Sequence, residues 1–201
     1  MTNYAERRAR ERRSAAIMDL MLSLTMNDAA AEVLGVPAGR ALFAPPGGLA
    51  PGLRDRLAEG IRRRGHVLAW AGSAGNTAEA PSPFADLTGW ECAESSLHLE
   101  DHVPVDVQIV DGAPEISQDD QRVLLLHGIA FALELRQLVA VLDRPGPVRC
   151  IVSANETNAT FRFHQVRDGE RWNRPDLDGY RLDRMVVIDL APAGPPGEPA
   201  C

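Results

Sequence analysis

The chain has 201 residues, 45% of them hydrophobic and 24% charged, with a formal net charge of -7. All 21 of its Lys+Arg positions are arginine. Without lysine there is no amine for a Schiff base, no phosphate-binding lysine of a Walker A loop or a kinase, and no Ser-x-x-Lys pair.

The length suits one domain with a real core, and the composition is that of a globular chain from a GC-rich, bacterial type of genome. Charge is uneven. Residues 1–65 carry 11 Arg against 7 acids, whereas residues 66–201 carry 10 Arg against 21 acids. An acidic body argues against a broad nucleic-acid surface, which needs a basic footprint. Cys92, Cys150 and Cys201 are scattered and form no C-x-x-C pair, so a reducing cytoplasm is expected. No run reaches the apolar length of a membrane span.

In chain order, a first helix is expected from about Tyr4 to Thr25, charged at Glu6–Arg13 and apolar along Ile17, Leu20, Met21 and Leu24. Asp19 interrupts the apolar stretch, so it is read as amphipathic helix and not as an export signal. Asn27 or Asp28 caps a short helix ending at Leu34, stopped by Gly35 and Pro37. A Pro/Gly-rich loop follows to Gly52. Leu53, Leu57 and Ile61 predict a helix over 53–64, with Arg62, Arg63 and Arg64 in its last turn. Val67–Ala71 reads as a strand and 72–89 as a long loop.

Residues 97–110 alternate strictly. Odd positions are mostly apolar and even positions mostly polar, predicting an extended strand or two strands in line, with Pro104 at an edge or break. Ser117 to Asp120 forms a capping box ahead of a long helix over 118–142. Val148–Ala154 and Ala159–Arg167 then flank a turn as a hairpin, with Phe161 and Phe163 on one face and Thr160, Arg162 and His164 on the other. A polar excursion over 170–183 carries Trp172 and Tyr180. Met185–Leu190 reads as a central strand, and 191–201 as a Pro/Gly-rich tail. The expected architecture is α+β: one domain over 1–190, N-terminal helices, a mainly antiparallel sheet of five or six strands, and the long helix across one face.

Three constellations bear on chemistry. On an extended strand His98, Glu100 and His102 would share a face, with Asp106 beyond them, a donor set suited to zinc or iron. Same-face neighbours stand about 7 Å apart on a flat strand, which opposes chelation without bending. Cys92 and Cys150 are candidate nucleophiles, Cys150 with His164 as base and Asn155 or Glu156 orienting it. Against this, Cys150 shares a face with Val148 and Val152, as a small core residue does. Finally, Arg149, Ser153, Thr160, Arg162 and His164 decorate the polar face of the hairpin, with Trp172 and Tyr180 following as aromatic anchors. His127, among leucines, reads as a core histidine.

The leading expectation is a cytosolic, non-enzymatic module that binds another protein, neutralising or chaperoning it, with no cofactor. The alternative is a metal-dependent enzyme using His98, Glu100 and His102, with His164 as acid or base. A third reading docks the basic N-terminal helix on an anionic surface.

Overall fold

The structure is a computed structural model, and it describes residues 20–35, 44–73 and 80–192. The expected helix over 4–19 and the tail from 193 onward lie outside these residues. Strands β1 (Leu20–Met26), β4 (Leu97–His98), β7 (Val148–Ala154), β8 (Ala159–Gln165) and β9 (Arg184–Pro192) form one antiparallel sheet in the order β1-β9-β7-β8-β4. Two small hairpins stand apart: β2 (Ile61–Arg64) with β3 (Val67–Trp70), and β5 (Val107–Val110) with β6 (Ala113–Ile116). The helices are α1 (Asp28–Leu34), α2 (Pro51–Glu59), α3 (Leu87–Ser95) and α4 (Gln118–Ala140). The fold is α+β, as its sequence predicts.

Helix α4 starts where Ser117 Oγ accepts from the Asp120 amide at 3.1 Å, and it lies on the inner face of the sheet. Leu124, Leu125, Ile129, Phe131 and Leu135 meet Val148, Cys150, Val152, Phe161, Phe163 and Ile188 in a single core. Gly128 lets α4 approach the sheet closely. A Cβ there would stand 2.4 Å from Val152 Cγ1. By length and composition alone α4 is long and apolar enough to cross a bilayer, contrary to the reading that no run is. Its apolar face is instead covered by the sheet.

Three sequence expectations are overturned. Residues 20–26 are a strand and not the end of a helix. Leu20, Leu22, Leu24 and Met26 also alternate, and β9 offers this stretch a full ladder of backbone partners. The helix expected over 53–64 ends at Glu59, because Gly60 takes φ 77°. Arg62, Arg63 and Arg64 therefore lie on β2, paired with Ala69, Leu68 and Val67. The strand expected over 97–110 is broken. The chain turns through a 3-10 helix at Leu99–Asp101, where His102 N and Val103 N both donate to the Leu99 carbonyl. Burial of Leu99 and Val103 stabilises that turn.

Helix α3 begins inside the stretch 72–89 expected as loop and runs on through residues for which no element is expected. Asp86 caps it, accepting from the Gly89 amide at 2.7 Å. Its buried face holds Thr88, Glu91, Cys92 and Ser95, so hydrophobic periodicity has little to register.

Candidate functional site

Because side chains alternate along β7, β8 and β9, the sheet has two distinct faces. The inner face meets α4. The outer face carries Arg149, Ile151, Ser153, Thr160, Arg162, His164, Met185, Val187 and Asp189. Ile151, Met185 and Val187 form a small second core there, closed by Leu177 and Tyr180 from the 166–183 excursion. Asn155 helps fix that excursion, its amide donating to Asp183 Oδ1 at 2.8 Å. Asn27 Nδ2 does the same to the Asp183 carbonyl at 2.8 Å.

The polar residues of this face fall into different roles. Arg149 donates twice to Asp189, from Nε at 2.7 Å and from Nη2 at 2.9 Å, so its charge is met within the sheet. Ser153 and Thr160 share a hydrogen bond of 2.8 Å. His164 is buried, and its Nδ1 donates to the Gln165 carbonyl at 2.7 Å. Its Nε2 has no partner. Burial holds the His164 pKa below its ordinary value, and Arg149 and Arg167 add to that. Tyr180 packs into the small core, and its hydroxyl accepts from the Arg174 amide at 3.0 Å.

Arg162 and Trp172 do come together at the surface. The guanidinium carbon lies 5.8 Å from the ring centroid, and Arg162 Nη1 donates to Thr160 Oγ1 at 2.6 Å. Trp172 is 44% exposed. Of the binding candidates, then, Arg162 and Trp172 meet at the surface, the ring exposed and the guanidinium half-buried. Arg149, His164 and Tyr180 are engaged within the fold. Beside them a cleft of about 370 Å³ opens between sheet and excursion, lined by Arg149, Val187, Arg167, Arg171 and Asn173 among others. Asn173 Oδ1 is buried without a partner.

The other constellations do not assemble as expected, although His98 and His102 both line a cleft of about 490 Å³ with Asp55 and Asp101. His98 Nδ1 and Glu100 Oε1 are 3.1 Å apart, but the other Glu100 oxygen accepts from the Ala159 amide at 3.0 Å. His102, beyond the turn, packs against Gly52 at the start of α2. The shared strand face on which the zinc or iron reading depends is absent, and no group of three or more His, Cys, Asp or Glu among the described residues is placed to hold a metal. Cys92 and Cys150 are both fully buried, and burial pushes the Cys92 thiol up to about 12. Cys150 is also raised, for the same reason. Neither forms an accessible thiolate near neutral pH. Cys150 sits on the inner face and His164 on the outer, so they cannot act together. His127 is a core histidine, its Nδ1 3.3 Å from the Ala50 amide that donates to it.

Sequence reasoning missed the most connected polar group. Glu91 of α3, fully buried, accepts from Leu68 N at 2.6 Å and Gln165 N at 2.7 Å, and pairs with both Arg167 terminal nitrogens at 2.6 and 3.0 Å. Arg63 reaches the same network through Gln165 and donates to the Arg144 carbonyl at 3.0 Å. Every bond here is internal, so the network is a clamp joining α3, β3 and β8.

Residues 49–192 match the family model described as the uncharacterized protein PM0498 family. That span runs from just before α2 to the end of β9 and includes every outer-face residue named above. Comparison with curated proteins found no match, and neither did comparison with solved structures. On the strength of a match over most of its length, the chain belongs to the uncharacterized protein PM0498 family.

Proposed function

We propose that the protein is a non-enzymatic, cytoplasmic module that binds another protein, neutralising or chaperoning it, and that its contact surface centres on Arg162 and Trp172. The observation that carries this reading is the Trp172 ring, 44% exposed on the excursion, lying 5.8 Å from the half-buried Arg162 guanidinium of β8. Trp and Arg dominate binding hot spots because they combine large apolar area with directed polar contacts. A half-exposed tryptophan held by a neighbouring guanidinium costs little further ordering on binding. Val166 and Leu182 of the same excursion are also exposed. Free buried thiols suit a reducing compartment.

The test is a photo-cross-linking amino acid at position 172 in the native cell, with position 134 on an exposed stretch of α4 as control. The reading expects one discrete protein adduct from 172, absent from 134 and lost with Arg162→Ala. Identical adducts from both positions would overturn it.

A further inference from the structure

The β5–β6 hairpin holds three of the exposed large hydrophobic residues of the described protein: Val107, Ile109 and Val110. Its loop, Asp111-Gly112, has φ of 52° and 83°, the type I′ geometry of a two-residue hairpin. In such a hairpin the pair flanking the loop, Val110 and Ala113, is hydrogen-bonded, and so is Gln108 with Glu115. The N–H and C=O groups of Val107 and Ile109 then point outward along the free edge of β5. The opposite edge confirms the phase, because the outward amide of Ile116 donates to the Glu156 carbonyl at 2.7 Å. That β6 edge is closed, tied at Ile116 and lacking an N–H at Pro114. The β5 edge is open: no partner for the outward groups of Val107 and Ile109 occurs among the described residues.

The two faces of the hairpin differ in chemistry. On one, Ile116 is buried in the main core, and the row continues outward through Val107 to Ile109, which is 70% exposed, and Pro114. On the other, Val110 and Ala113 sit next to the loop, and beyond them Asp106, Gln108, Glu115, Ser117 and Asp120 line a cleft of about 240 Å³. No arginine occurs in the sequence between Arg64 and Arg122.

We infer that β5 receives an extended segment of a partner polypeptide as a third strand, and that this segment alternates apolar and basic side chains. Backbone bonds to Val107 and Ile109 supply the pairing. Side chains of an added strand fall alternately beside the apolar row and beside the acidic face, so each position has a stated preference. A second copy of β5 fits poorly, since any pairing that aligns the apolar rows also sets acidic face against acidic face. This site is separate from the Arg162–Trp172 surface and stands or falls independently of it.

The probe is a short blocked peptide of alternating arginine and valine, with its glutamate–valine counterpart as control, added to the full chain. Residue-resolved amide exchange is the readout. The expected result is exchange slowed about tenfold or more at Val107 and Ile109 with the basic peptide and unchanged with the acidic one. Ile109→Pro removes an outward N–H that bonds to nothing among the described residues, so it leaves thermal stability nearly intact and abolishes the effect. Glu115→Gln weakens it while leaving the edge open. Protection elsewhere, equal protection by both peptides, or persistence in Ile109→Pro would overturn the inference. So would protection of these amides in the free chain, which would assign the edge to the chain itself or to a second copy.

Discussion

His164 illustrates how one side chain can be read correctly for position and wrongly for role. Alternation along β8 places it on the outer face with Arg162. The sequence carries no sign that it is buried there, because burial depends on contacts made across the folded chain. With Nδ1 donating to the Gln165 carbonyl, the neutral ring leaves Nε2 as an acceptor. Protonation would put a second N–H in a buried position without an acceptor. The folded state therefore binds this proton less readily than the unfolded chain, whose histidines titrate near ~6.5. His127, also lowered by burial, acts in the same direction. Folding stability is fully present above that value and falls as pH drops through it, because the unfolded state then holds more protons. Urea midpoints should be lower at about pH 5.5 than at about pH 7.5, with a smaller gap in His164→Gln. A gap of equal size in the variant would show that His164 contributes none of it.

Among the elements, those with an apolar face matched to a regular period were legible: α4 from its leucines and capping box, β7 and β8 from alternation around a turn. Those missed were set by contacts no periodicity encodes. Residues 20–26 satisfy both a helical and an alternating pattern, and the strand wins through pairing with β9, far along the chain. The run over 97–110 alternates, yet Leu99 and Val103 are drawn into the core and turn the chain between them. The shared face on which the metal reading rested is lost with that strand. Helix α3 buries polar residues, which makes sense only once Arg167 is seen to meet Glu91. This clamp carries a prediction at its own scale. Arg167→Ala leaves a carboxylate buried and unpaired, at a cost of about 3–5 kcal/mol in denaturant unfolding, far above that of an exposed ion pair. Replacing Glu91 by alanine as well does not restore stability, because the amides of Leu68 and Gln165 then lose their acceptor. A loss below about 1 kcal/mol for Arg167→Ala would refute the clamp.

For the whole molecule, the fold divides labour between the faces of one sheet. The inner face and α4 supply the core. The outer face is half closed by the excursion, which uses Tyr180 and Leu177 to seal it and leaves Trp172 over Arg162 at the surface. The arginines follow this division: Arg149 and Arg167 neutralise carboxylates within the fold, while Arg162 orders an exposed ring. The candidate surface was thus legible in its residue types, but only the folded chain separates the residues that hold the face together from those that present it. The most direct measurement is the affinity of the protein captured from position 172 for the wild-type chain and for Trp172→Ala. A central anchor contributes 2 kcal/mol or more, so binding should weaken by about 30-fold while the unfolding midpoint is retained. An affinity unchanged within about twofold would contradict the account.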